Sequence, residues 1–131
     1  MKRLILLVTA LVLMFGIAGC ASTADHLASI KDAGKIVVGT SADYPPFEFV
    51  DEAGVTTGFD VELMNEIAKR MGVTVEWVDM PFDSLIAAVQ EGKIDASIAA
   101  FNYDPERDES VDFTDAYYTT EDSFTVLEGF S

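Results

Sequence analysis

Two β-branched runs flanking one amphipathic helix constrain this chain more than any other feature. Lys35-Ile-Val-Val-Gly39 is apolar and bounded by glycines, the pattern of a buried strand. Val73 to Val78 alternates like a second strand. Between them, over Asp60 to Met71, Val61, Leu63, Met64, Ile67, Ala68 and Met71 share one side of a helical wheel. Glu62, Asn65, Glu66, Lys69 and Arg70 take the other side. Asp60 and Glu62 suit the positive end of the helix dipole, Lys69 and Arg70 the negative end, and Gly72 supplies the stop. A strand, a helix and a strand in this order predict a parallel pair joined by a right-handed crossover.

The rest of the chain extends the pattern. His26 to Ala33 reads as a helix ending at Gly34. Pro45 and Pro46 forbid a helix over Ser41 to Phe49. Phe47 to Val50 and Val55 to Thr57 flank Asp51 to Gly54 as a small hairpin or loop. Asp83 is placed to cap a second helix running through Glu91, with Leu85, Ile86 and Val89 on its core side and Gly92 as its stop. Ile94 to Ala99 suits a strand packed closely on both faces, and Ser123 to Leu127 reads as a last strand. Asp104-Pro105 is a helix start, with Asp as cap and Pro at the first helical position. The expected fold is therefore α/β, a mostly parallel sheet with flanking helices. Ligands of such sheets bind outside the carboxyl ends of the strands. The loops there are Thr40 to Phe47, Met80 to Asp83 and Ala99 to Arg107.

The first residues read as an export signal. Lys2 and Arg3 precede an apolar stretch from Leu4 to Gly16, and Ile17-Ala18-Gly19-Cys20 follows. Small residues before a cysteine resemble a bacterial lipobox. Residues 1–19 are then a lipoprotein signal peptide and 20–34 a lipidated tether with an N-terminal helix. Cys20 is the lipid attachment site, and its acyl chains anchor the protein to a membrane outside the cytoplasm. It is the only cysteine, so no internal disulfide is available. The formal net charge is −15, and removal of Lys2 and Arg3 makes the mature part more acidic still. Such a surface repels phosphate backbones, so no nucleic-acid partner is expected.

Arg107 stands out in this acidity. After Lys93 it is the one positive side chain, against ten Asp and Glu residues. As fourth residue of Asp104-Pro-Glu-Arg it lies in the first turn of a short helix. Free amides at a helix start favour anions, and a guanidinium beside them offers a bidentate fork for a carboxylate. The same spacing equally permits a surface pair with Asp104. Tyr44 and Phe82 read either as floor and wall for a small ligand or as core. Ser41 and Asn102 read as hydrogen-bonding partners of a polar ligand or of loop backbone. His26, the single histidine, reads as a surface residue. There is no P-loop, G-x-G-x-x-G, G-x-S-x-G or metal-ligand cluster. No catalytic residue, metal or cofactor is therefore assigned.

At this point the residues resemble a family, the extracytoplasmic solute-binding proteins (family 3) of polar amino-acid ABC importers, with the type II periplasmic-binding fold. The resemblance rests on Gly39-Thr-Ser-Ala-Asp-Tyr-Pro-Pro-Phe-Glu48, on Gly58-Phe-Asp-Val-Glu-Leu-Met-Asn-Glu-Ile67, on Gly92 to Ala96, and on Pro105-Glu-Arg107 followed by Val111 to Tyr118. It implies a two-lobed protein that closes on an amino acid and delivers it to an ABC permease. It implies that Arg107 grips the ligand carboxylate, that Tyr44 and Phe82 surround its side chain, and that the Ala100 backbone and Asn102 hydrogen-bond nearby. Ser41 takes a position that in some relatives is an acid reading the far end of the ligand. Asp104, where relatives usually have Thr or Ser, departs from the pattern, as does Asn102 in place of Ser or Thr. Relatives also continue into a second lobe, so 35–131 is expected to be a partial domain, the first lobe. That lobe alone is expected to bind amino acids weakly or not at all. The resemblance leaves two other functions open: an enzyme similar to cyclohexadienyl dehydratase, and the sensing domain of a receptor.

Overall fold

A computed structural model describes residues 25–120 and 125–129. The expected export leader and Cys20 lie outside the described residues. Among those residues no helix is long and apolar enough to cross a membrane.

The βαβ unit forms as its pattern predicts. Strand β1 (Lys35–Thr40) leads through a small meander to helix α2 (Phe59–Met71) and strand β5 (Thr74–Asp79). Helix α1 (His26–Ala33) precedes β1. β1 pairs in parallel with β5, from Lys35 against Thr74 to Thr40 against Asp79. On its other side β1 pairs in parallel with β6 (Ala96–Ser97), Val38 against Ala96 and Gly39 against Ser97. The sheet order is thus β5-β1-β6, with β1 central.

Both faces of β1 are covered, which is why its residues are so uniformly apolar. Ile36 and Val38 pack with Ile30 of α1 and with Met64 and Ala68 of α2. Val37 points the other way, into a second cluster built on Leu85, Ala88, Ile94 and Ala99. Leu85 and Ala88 belong to α3 (Leu85–Gln90). The packing there is tight enough to require Gly39. A Cβ at that position would lie 2.5 Å from Ile94 Cδ1 and 2.9 Å from Leu85 Cδ2.

Several sequence expectations change in detail. Ile67 lies on the flank of α2, 40% exposed, rather than in the core. Asp83 does not cap α3. A 3-10 turn (Phe82–Ser84) starts at Pro81 and runs into the helix with no side-chain cap. The strand expected over Ile94 to Ala99 shortens to β6, although Ile94, Ile98 and Ala99 are buried. The last strand does not form over Thr125–Leu127, where Leu127 is 84% exposed; Ser123 and Phe124 lie outside the described residues.

The meander holds the residues that matter for the site. β2 (Asp43–Tyr44), β3 (Glu48–Val50) and β4 (Thr56–Thr57) form an antiparallel sheet with β3 in the middle. Along β3 burial falls steadily from Glu48, through half-buried Phe49, to exposed Val50, so the core covers only the start of the strand. Gly58 joins the meander to α2 at φ 129°, and a Cβ there would sit 2.2 Å from the Phe47 carbonyl oxygen.

Candidate functional site

The three loops after β1, β5 and β6 meet at the carboxyl edge of the parallel sheet. A concavity of about 240 Å³ opens there, lined by Ser41, Asp43, Tyr44, Glu48, Phe82, Ala99 and Ala100. Four of the residues singled out in the sequence, Ser41, Tyr44, Phe82 and Ala100, are therefore neighbours. Ser41 is buried and its hydroxyl donates to Asp43 Oδ1 at 3.2 Å. Tyr44 is 59% exposed and stacks on Phe47 at 5.9 Å between ring centroids, so it is rim rather than core.

Arg107 is not part of this lining but lies against Phe82, which is. Its guanidinium carbon lies 5.4 Å from the Phe82 centroid and 5.7 Å from that of Phe101. The two rings are themselves 4.6 Å apart. The cation is held by ring faces. Among the described residues it makes no ion pair, and the surface pair with Asp104 is not formed.

Asp104 is instead the cap of α4 (Pro105–Asp108). Its Oδ1 accepts from Glu106 N at 2.8 Å and Arg107 N at 3.2 Å. These are the amides that the sequence offered to an anion. The cap occupies them, so the guanidinium is the group left for a carboxylate. Asn102 is exposed and lines a different, larger hollow of about 780 Å³. That hollow lies between the β6 edge and the returning segment from Val111 to Thr120. His26 is a surface residue, 2.9 Å from Asp95 Oδ1.

Ala100 is the one described non-glycine residue with positive φ, at 46°. Its N–H donates to Asp60 Oδ2 at 2.7 Å, which leaves its carbonyl as the free backbone group. Tyr117 donates its hydroxyl to the same Asp60 oxygen at 2.9 Å. Burial first, then this bond to Asp60, pushes the Tyr117 phenol above its usual value.

Sequence reasoning missed Glu48 and gave Asp60 only a helix-dipole role. Both are fully buried, at 1% and 0% exposure. Glu48 Oε2, Asp60 Oδ1 and the hydroxyl of buried Thr40 at the end of β1 have no hydrogen-bond partner. Desolvation, followed by the adjacent Asp60 carboxyl and then Asp43, raises Glu48 from the ordinary carboxyl range to about 8. A signal was present. Each acid sits between two apolar residues, Phe47 and Phe49 for Glu48, Phe59 and Val61 for Asp60. Among the described residues no group of three or more His, Cys, Asp or Glu side chains is placed to hold a metal ion.

The parallel sheet's carboxyl edge thus carries a small concavity lined by the buried Glu48 carboxyl, with the Arg107 guanidinium against the Phe82 ring of its lining. The family is shown by sequence: residues 36–131 match the bacterial extracellular solute-binding proteins, family 3, and the chain belongs to that family. It is 40% identical over 119 residues to the arginine-binding extracellular protein ArtP of Bacillus subtilis, a match covering 91% of this chain and 46% of that protein. The chain thus spans about half the length of that relative. The arginine-bound form of domain 1 from TmArgBP, the T. maritima protein, superposes with a TM-score of 0.68 at 50% identity, covering 69% of this chain and 71% of that one. The ancestral amino acid-binding protein AncCDT-1, a precursor of cyclohexadienyl dehydratase, superposes with a TM-score of 0.69 at 44% identity, covering 71% and 41%. The fold is accordingly the α/β first lobe that the sequence implied.

Proposed function

We propose that this chain is the first lobe of a binding protein that captures a cationic amino acid, foremost arginine, outside the cytoplasm and delivers it to an ABC permease. The observation that carries this reading is the pairing of opposite groups around one concavity. Arg107, held by aromatic faces and free of carboxylates, grips the ligand α-carboxylate as a bidentate fork. The Ala100 carbonyl accepts from the α-ammonium. Phe82 and Tyr44 line the aliphatic stem, while Asn102, in the neighbouring hollow, would need to turn towards the ligand to hydrogen-bond it. Ser41, Asp43 and Glu48 receive the cationic end. The concavity is below the roughly 300 Å³ at which drug-sized sites begin, which suits a single amino acid.

The names of the relatives support the ligand class, since ArtP and TmArgBP are both described by arginine. That an isolated domain 1 of TmArgBP carries arginine also supports binding by one lobe. We therefore replace the expectation of weak or no binding: the present chain holds arginine by itself. Capture followed by release is favoured over turnover because the relatives it matches, ArtP and the L-arginine-binding protein of Pseudomonas aeruginosa, are described as binding proteins. The membrane attachment rests on Cys20, lipidated after removal of residues 1–19, with 35–131 as the binding portion.

Isothermal calorimetry of the chain with L-arginine, L-lysine and L-glutamate tests the reading. Saturable heats with the two cations and none with glutamate are expected. Absence of any heat with millimolar arginine overturns it, and turnover of prephenate or arogenate would move the chain to the enzymes.

A further inference from the structure

Two adjacent buried carboxyls, Glu48 in the lining of the concavity and the fully buried Asp60 beside it, have no cation to balance them among the described residues. Each leaves one buried oxygen without a partner, Glu48 Oε2 and Asp60 Oδ1, and such groups are rare in folded proteins. Among the described residues neither forms an ion pair with a lysine, arginine or histidine. The titratable groups facing Glu48 are Asp60 from α2, Asp43 and Tyr44 from β2, and Tyr117 from the returning segment. All are acidic or neutral. A single proton between Glu48 and Asp60 would give both orphaned oxygens a partner.

The geometry also says which residue carries it. Asp60 Oδ2 already accepts from the Ala100 N–H and the Tyr117 hydroxyl. Asp60 further lies in the first turn of α2, where the helix dipole favours negative charge. Glu48 Oε2 has no donor. Asp60 is therefore the anion and Glu48 the acid that donates to it. Burial and the proximity of Asp60 act in the same direction, since two adjacent carboxyls cannot both ionise without mutual repulsion.

We propose that Glu48 and Asp60 share one proton while the concavity is empty, and that the cationic end of an incoming amino acid takes its place and expels it. This rests on Glu48 being an acceptor for that cationic end. The exchange balances: Glu48 passes from acid to carboxylate, its proton leaves to water, and the ligand cation stays protonated. The buried site swaps one positive charge for another, so capture does not add net charge to a low-dielectric interior. The pair thereby makes cation capture pH-dependent and discriminates against a neutral side chain, which cannot replace the proton.

Calorimetric titration of the chain with L-arginine in buffers of differing ionisation enthalpy reads the proton count directly. About one proton released per arginine is expected at pH 6 to 7, falling to about half at pH 8. Arginine affinity should rise about tenfold per pH unit up to that point and then level. Glu48→Gln keeps an N–H for Asp60 Oδ1 and has no proton to lose. Its arginine binding should be weaker, release nothing and be flat across the same range. Arginine binding by the unsubstituted chain without proton release, or equal release from Glu48→Gln, overturns the proposal. A second measurement needs no ligand: carboxyl ¹³C titration of the empty chain should find Glu48 titrating far above the other glutamates. Glu48 titrating with them overturns the shared proton whether or not arginine binds. A near-neutral Glu48 in a chain that ignores arginine upholds the shared proton and overturns its displacement by that ligand.

Discussion

Arg107 began among ten acids and ends with none of them as an ion-pair partner among the described residues. Two features keep it so. Asp104, three residues before it, is committed to the amides of α4, a cap worth about 1 kcal/mol. Phe82 and Phe101 offer faces that attract the guanidinium without satisfying its donors. The side chain is thus positioned and still has its hydrogen bonds to give. Arg107→Ala is expected to weaken arginine binding by at least about 2 kcal/mol, read by calorimetry, with an unchanged far-ultraviolet circular dichroism spectrum. Unchanged affinity would remove Arg107 from the site. The sequence showed this residue's isolation but not its neighbours. Its ambiguity came from i,i−3 spacing, which serves a surface pair and a helix cap equally well. Glu48, flanked by Phe47 and Phe49, was harder to place for another reason: a hairpin strand pattern says that residues alternate, but not which face the core will claim.

Among the elements, α2 was the most legible because its apolar side, acidic start, basic end and glycine stop all agree. Its entry was not. Gly58 carries no capping side chain; it allows the meander to pass within contact of the helix start. Gly58→Ala combines a disfavoured φ with a Cβ 2.2 Å from the Phe47 carbonyl oxygen. We expect a loss of about 3 kcal/mol, measured as a lower midpoint in urea, together with loss of arginine binding because β3 carries Glu48. A midpoint within error of the parent would refute the steric argument. The other misses share a cause. Asp83 reads as a cap until Pro81 sets a 3-10 turn before it, and Ile94 to Ala99 reads as a strand although only Ala96 and Ser97 pair. In both, local residue preference was right about burial or polarity, while backbone pairing was decided by neighbours distant in sequence.

The whole molecule inherits a pH dependence from the site. A carboxyl raised from 4.5 to about 8 keeps its proton in the folded state after the unfolded chain has lost it. Between those values the folded state binds more protons, so the stability of the empty lobe must fall as pH rises through that window. Denaturation midpoints at pH 5, 7 and 9 should decline in that order, and Glu48→Gln should flatten the portion above pH 6. A midpoint rising from pH 6 to 8 would contradict the assignment. The parallel β1–β5 pair and its flanking helices follow from features visible in the sequence. The charge chemistry beneath the site does not, because it arises from residues 48, 60 and 117, which only the fold brings together. The aromatic seat of Arg107 has a last consequence, for timing. An arginine already engaged by a carboxylate must break that contact before it takes another, which adds a step to every encounter. Here no such exchange is needed, so the rate at which a carboxylate docks on this lobe is set by diffusion and orientation, and discrimination between ligands falls on how long each one stays.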